Sequence, residues 1–343
     1  MILAGPDGTV AQASKSKSEA ELRAQIMAPQ VRQATWIRIA GPLSALFLGV
    51  ALAAFYAKPI GVLRWLQQTR LGWSGVSETE VGLDSGLMTY YYTGGFMDQE
   101  PVVLVHGLGP NAALVWRSVM SPIAMGHYKV VAPNLMGFAS SDHKQENYSI
   151  AYQAKALGQL IERLELTRVN LVGEDLGADV AMYYAVNHPD NVERLILLAG
   201  GLQGASGAAK LKNGLLPQTP EKMREQIEMT MFWLPPLPEF MYDRMMIAVA
   251  DDLPAQHAML NSVPRDEGQI RVRLGEIFNT LTIVVWGGKD PFFTRGQGEA
   301  LSGMMPGSAT TVFQTSGHYP QLEYPEEFAD TMLYLLKQTQ GGT

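Results

Sequence analysis

Val169-Asn170-Leu171-Val172-Gly173-Glu174-Asp175-Leu176-Gly177-Ala178-Asp179-Val180-Ala181 reads as a buried strand, a sharp turn framed by glycines and the start of a helix. Asp175 stands at the tip of the turn, with Gly173 and Gly177 two residues to either side, where so tight a turn admits only small residues. A carboxylate in that position is a candidate nucleophile. Attack on an acyl carbon would form a mixed anhydride. Attack on an alkyl carbon gives an ester that the same site can hydrolyse, so alkyl substrates are favoured. Glu174 sets a second carboxylate beside the first, and such neighbours raise one of the two pKa values. Asp179, one helical turn later, reads as a helix-surface or packing residue.

Outward from this stretch, short apolar runs alternate with helical stretches from about Ser77, the signature of a mainly parallel sheet covered on both faces. The runs Leu87 to Tyr92, Val102 to Val105, Lys129 to Ala132, Val169 to Val172, Arg194 to Leu198, Leu281 to Trp286 and Thr310 to Gln314 are the expected strands. Residues 77–200 and 279–343 form the expected core. Residues 201–278 contain no expected strand and read as helical pieces broken by prolines, a cap over the carboxyl edge of the sheet, where α/β ligands bind.

Three further motifs follow expected strands. His106-Gly107-Leu108-Gly109-Pro110 turns backbone N–H groups inward, so that Leu108 N–H, with Leu176 N–H after the nucleophile, is placed to stabilise an oxyanion. Trp286-Gly287-Gly288-Lys289-Asp290-Pro291 leaves Asp290 on a loop where it can orient a histidine. Ser316-Gly317-His318-Tyr319-Pro320 supplies His318 as a general base.

Nucleophile, acid and histidine occur in the chain order of α/β-hydrolases. From about Tyr91 to Leu336 the chain resembles that superfamily through His106-Gly107, Gly173 to Gly177, Asp290 and Gly317-His318. The resemblance implies a mainly parallel sheet of about eight strands, helices on both faces and a helical cap. It implies an Asp-His-Asp triad of Asp175, His318 and Asp290, with Leu108 and Leu176 as the oxyanion hole.

Two likenesses within the superfamily diverge. The layout, including Pro220-Glu221-Lys222-Met223 and the Trp286-to-Asp290 loop, resembles membrane-anchored acylglycerol lipases and related bacterial lipases, which carry serine where this chain has Asp175. The aspartate itself resembles epoxide hydrolases and haloalkane dehalogenases, which form an alkyl-enzyme ester that histidine-activated water hydrolyses. Dehalogenases hold the halide with a tryptophan after the nucleophile; here that residue is Leu176, and Trp116 is the candidate substitute. Epoxide hydrolases protonate the opening oxygen with cap tyrosines, and this cap offers Tyr242. They also carry proline two residues after His-Gly, whereas Gly109 displaces Pro110 here. His106, Trp116, Glu174 and Tyr242 are the expected substrate-facing residues. The expected activity is hydrolysis of an apolar small molecule by covalent catalysis, with an epoxide favoured over a haloalkane. The alternatives are an esterase or lipase of the acylglycerol type and a non-catalytic fold that binds a lipid or a partner protein.

The 19 uncharged residues Ile39 to Ala57 would reach roughly 28 Å as a helix, close to the ~30 Å hydrocarbon core of a bilayer. A polar segment at 1–35, a transmembrane anchor at 36–58 and an interfacial or linker helix at 59–76 are therefore expected. Arg23, Arg32 and Arg38 before the span are matched by Lys58, Arg64 and Arg70 after it, so the charges fix no orientation. A net charge of −7 without a basic stripe points away from nucleic acid. The absence of cysteine excludes disulfides, thiolate metal sites and cysteine nucleophiles, and no histidine spacing matches a metal motif, so no metal or organic cofactor is expected. Met223, Met229, Met231, Met241, Met245 and Met246 make the cap methionine-rich, a composition that serves plain packing or a pliable apolar pocket.

Overall fold

Eight strands, β1 (Val76–Leu83), β2 (Gly86–Thr93), β3 (Pro101–Val105), β4 (Lys129–Pro133), β5 (Val169–Glu174), β6 (Val192–Leu198), β7 (Leu281–Gly287) and β8 (Ala309–Phe313), form one sheet. Their order is β1-β2-β4-β3-β5-β6-β7-β8, antiparallel through β1, β2 and β4 and parallel from β4 to β8. The structure is a computed structural model that describes residues 53, 55–93, 99–109, 111–144, 147–231, 237–305 and 307–338. Residues Pro59–Thr343 form one compact unit.

Side chains alternate across each strand and so feed two cores. Val103, Val105, Val131 and Leu171 join a core covered by the helices Ile150–Arg163 and Leu176–Asn187. Val102, Leu104, Val130 and Val172 join the opposite core, under Met120–Met125 and Pro325–Leu335. Burial on both faces explains why these strands are almost uniformly apolar. The seven expected strands match the observed ones to within two residues at each end. The eighth, β1, is an edge strand with a half-buried Glu78 and an exposed Glu80, and such charges blunt an edge against pairing with another chain.

Between β6 and β7 the chain forms the helices Gly204–Leu215, Pro220–Thr230, Glu239–Val249 and Leu253–Val272. Thr219 accepts a hydrogen bond from Lys222 N–H, and Pro220 occupies the first helical turn, which together start the second of these helices.

The expected transmembrane span lies outside the described residues except at 53 and 55–58. Among the described residues no helix is long and apolar enough to cross a membrane. The segment after the span forms the helix Pro59–Trp73, which packs on β1 and on Glu239–Val249. It buries Leu71 and leaves Leu63, Trp65, Leu66 and Trp73 exposed.

Candidate active site

The loops that leave β3, β5, β7 and β8 converge at one edge of the sheet because of how these strands pair. Val105 of β3 lies opposite Gly173 of β5, which carries His106 to Leu108 alongside Glu174 and Asp175. Gly287 of β7 lies opposite Phe313 of β8, which brings the Asp290 loop beside the His318 loop.

At the end of β5 the backbone turns through Asp175 with φ 51° and ψ −126°, a left-handed conformation that strains a non-glycine residue. The flanking glycines make the turn sterically feasible. A Cβ on Gly173 would stand 2.3 Å from the Gly177 carbonyl oxygen, and one on Gly177 would stand 2.5 Å from that of His106. The turn is therefore compressed between its own helix and the loop after β3.

Both carboxylates at the turn are held by that loop. Leu108 N–H donates to Asp175 Oδ2 at 2.9 Å, and Gly107 N–H donates to Glu174 Oε2 at 3.1 Å. The second oxygen of each, Asp175 Oδ1 and Glu174 Oε1, is buried and has no hydrogen-bond partner among the described residues. Across from them, His318 Nδ1 lies 2.8 Å from Asp290 Oδ2. Asp290 is fixed in turn by the N–H groups of Phe292 and Phe293, which donate to its Oδ1 at 2.7 and 3.0 Å. The other ring nitrogen, His318 Nε2, has no partner among the described residues. One oxygen from each of Glu174 and Asp175 and one ring nitrogen of His318 all lie within 4.8 Å of one another. Those three groups are close enough to share a cation, and equally close enough to share a proton and a substrate atom.

Electrostatics organises the cluster as acids facing a base. Burial, then the neighbouring Asp175, pushes the Glu174 carboxyl up to about 8. Burial also raises Asp175, while His318 and the N–H groups of Leu108 and Leu176 pull it back. Burial alone would lower His318, yet the Asp290 carboxylate, with help from Asp175 and Glu174, holds it at about 9. Near neutral pH the cluster thus holds one proton on Glu174 and an imidazolium at His318.

A cavity of about 190 Å³ opens beside the cluster, with Leu108 and Tyr319 in its wall. Most of its lining is apolar and comes from the helices between β6 and β7, including Leu215, Met223, Ile227, Met231 and Met245. Its polar residues are partly occupied, with Gln226 Oε1 and Gln256 Oε1 buried and without a partner among the described residues. Gln256 Nε2 donates to Leu108 O at 3.0 Å, Asn111 accepts from Leu114 N–H at 2.8 Å, and Asp252 accepts from Ala139 N–H at 3.1 Å.

Asp175, Asp290, His318, Leu108, Leu176 and Glu174 are therefore brought together, and three other expected residues are not. His106 is fully buried with both ring nitrogens occupied: Nδ1 lies 3.0 Å from Gly107 O, and Nε2 accepts from Leu135 N–H at 3.0 Å. Burial keeps it neutral, with a pKa near 4, and its place is in the loop's framework rather than against substrate. Trp116 is buried in the core beneath the sheet, whereas its neighbours Leu114 and Val115 line the cavity. Tyr242 is buried with its hydroxyl accepting from Leu237 N–H at 3.2 Å and does not line the cavity. Asp179 belongs to the interior: it is fully buried and accepts from Leu202 N–H at 2.8 Å.

The residues that sequence reasoning passes over are Tyr319, Gln256 and Thr230. The Thr230 carbonyl accepts from His318 N–H at 3.0 Å and ties the base to the helix above it. Tyr319 adjoins His318 in sequence, and that adjacency was the available signal.

Strand order, the compressed turn and the carboxyl-edge loops define an α/β-hydrolase. The chain belongs to that family: residues 100–244 match the sequence profile of the alpha/beta hydrolase fold. A Pseudomonas putida protein named 2-hydroxy-6-oxononadienedioate/2-hydroxy-6-oxononatrienedioate hydrolase 2 is 30% identical over 257 residues, covering 69% of this chain and 88% of that relative. A membrane phospholipase A described as a bacterial virulence factor has the same fold, with a TM-score of 0.71 at 22% identity, over 89% of this chain and 99% of that one. A haloalkane dehalogenase variant from Bradyrhizobium elkanii gives a TM-score of 0.60 at 18% identity, over 76% of this chain and 96% of that one. The protein is accordingly a hydrolase of the α/β fold.

Proposed function

We propose that the protein hydrolyses an apolar alkyl substrate through a covalent ester on Asp175. The observation that carries this reading is the division of labour between the two oxygens of that carboxylate. Oδ2 is anchored on Leu108 N–H, and Oδ1 is left without a partner inside the cluster that also holds His318 Nε2. An anchored, desolvated carboxylate with one free oxygen is arranged to attack, and the N–H groups of Leu108 and Leu176 are arranged to receive charge when the ester is later hydrolysed.

Asp175 Oδ1 attacks an sp³ carbon, whose bond to the leaving group breaks. His318 then takes a proton from water, which attacks the ester carbonyl, and Asp290 holds the imidazole in the required orientation. Forming the ester removes the anionic charge of Asp175 that helps retain the proton on His318. The base is thereby released for the second step by completion of the first.

An epoxide is favoured over a haloalkane as the substrate. Leu176 follows Asp175, and Trp116 does not line the cavity, so neither is placed to give an indole N–H to a departing halide. The apolar cavity suits a hydrocarbon chain. The test is single turnover in ¹⁸O water followed by mass spectrometry of the peptide that contains Asp175. Label in the carboxylate is expected, and an active substrate that leaves the peptide unlabelled would falsify the covalent step.

Residence at a membrane is part of the proposal. The uncharged run Ile39 to Ala57 leads into the helix Pro59–Trp73, which exposes Leu63, Trp65, Leu66 and Trp73 beside the chain that lines the cavity through Ile60. The full chain is expected to co-float with phosphatidylcholine vesicles at high salt. Recovery at the bottom of the gradient would count against the anchor.

A further inference from the structure

An oxirane oxygen leaves as an alkoxide and needs a proton, yet the one tyrosine of residues 201–278 is turned away from the cavity and uses its hydroxyl to accept from Leu237 N–H. A different tyrosine occupies the corresponding ground. Tyr319 is 7% exposed, forms part of the cavity wall and lies edge-on to the His318 ring, with centroids 4.8 Å apart. It enters from the core, on the loop after β8, not from the helices above.

We propose that Tyr319 is a further catalytic residue, the proton donor to the leaving oxygen, and that the substrate class is therefore a small apolar epoxide. The inference rests on Asp175 acting as the nucleophile. In the first step Asp175 Oδ1 bonds to a ring carbon, the carbon–oxygen bond breaks, and the oxygen takes both electrons of that bond and the phenolic proton. The Tyr319 phenolate then takes the imidazolium proton of His318, and in the second step the neutral His318 removes a proton from water as it attacks the ester carbon and returns that proton to the departing diol oxygen. Asp175 is released as the acid and gives its proton back to His318, restoring the imidazolium and the carboxylate. Epoxide and water enter, diol leaves, and every protein group ends as it began.

The charged groups around Tyr319 support this cycle. Glu174 and Asp175 from the end of β5, Asp290 from the loop after β7 and His318 on its own loop all face it. Burial and the carboxylates keep the hydroxyl protonated well beyond its ordinary range, so the donor is loaded throughout neutral pH. When the phenolate forms, Asp175 is a neutral ester and Glu174 still carries its proton below about pH 8. The negative charge thus appears at the moment when its neighbours are least negative.

Ester formation is best read in a His318→Gln background, where the intermediate accumulates. The probe is 1,2-epoxyhexane, and the readout is mass spectrometry of the alkylated protein against time at several concentrations. Adding Tyr319→Phe is expected to slow alkylation by about 100-fold or more, with the half-saturating epoxide concentration changed only a few-fold. An unchanged alkylation rate would overturn the role of Tyr319 and leave the nucleophile standing. A shifted half-saturation with an unchanged limiting rate would do the same, reducing Tyr319 to a piece of wall. No ester in His318→Gln alone would remove both the inference and the reading beneath it.

Discussion

The loops at the carboxyl edge of the sheet and the helices that roof the cavity are built on opposite principles. In the loops every functional side chain is anchored, with one atom left open on each of Asp175, Glu174 and His318: Asp175 on Leu108, Glu174 on Gly107, His318 on Asp290, and Asp290 on Phe292 and Phe293. The roof presents Met223, Ile227, Met231 and Met245, side chains that pack without directional bonds. The lower region is specified by hydrogen bonds and the upper by shape. Chemistry should therefore be brittle to substitution in the loops, and substrate range should be tunable in the roof.

The largest effect that would break this contrast concerns Asp175→Asn, which is expected to reduce turnover by roughly 10⁴-fold or more. A residual rate within tenfold of the native enzyme, measured with a purified epoxide substrate, would show that the fixed loops do not carry the reaction. Asp290→Asn should cost roughly 10³- to 10⁴-fold in turnover. It should also deposit a stoichiometric ester, because the first step of the proposed reaction does not use His318 as a base; a mass spectrum without ester would contradict that order of steps.

Stability sharpens the comparison at the next scale. Gly173→Ala places a Cβ against the Gly177 carbonyl and is expected to destabilise the fold by about 2–4 kcal/mol, read as a lowered chemical-denaturation midpoint. Proton binding adds a pH signature. Folding raises His318 from about 6.5 to about 9 and Glu174 from 4.5 to about 8, so the folded state binds more protons than the unfolded one in this range. The stabilisation from His318 is complete below about 6.5 and is lost as pH rises through 9. The unfolding temperature should fall along that interval, and His318→Gln should flatten the slope. The smallest effect belongs to the roof. Met231→Ala should raise KM for a short-chain epoxide a few-fold with kcat little changed, and Tyr242→Phe should alter neither by more than about twofold.

Legibility in the sequence follows the same division. Strands buried on both faces announce themselves as apolar runs, which is why β3, β5 and β7 are readable to within a residue or two. β1 escapes because it lies at an edge, where Glu78, half-buried, and Glu80, exposed, interrupt any apolar run. The meeting of Asp290 with His318 is readable because each follows a strand directly, and strand pairing fixes where such loops emerge. The roof has no comparable rule. Whether Tyr242 or Tyr319 faces the cavity depends on the rotation of a helix and the course of a loop, and neither leaves a period in the sequence. Trp116 shows the same limit: its helix spans five residues, Ala112–Trp116, and Leu114 and Val115 line the cavity while Trp116 itself enters the core.

The Leu108 N–H, already engaged by Asp175, has a consequence for inhibitors. Boronates and trifluoromethyl ketones depend on a nucleophilic hydroxyl and on vacant donors that receive a tetrahedral adduct. Here the donor holds the enzyme's own carboxylate, and no serine stands at the turn. Fluorophosphonate reagents that report serine hydrolases across a cell extract should pass over this protein, while an electrophilic alkyl reagent of matching size should mark it at Asp175.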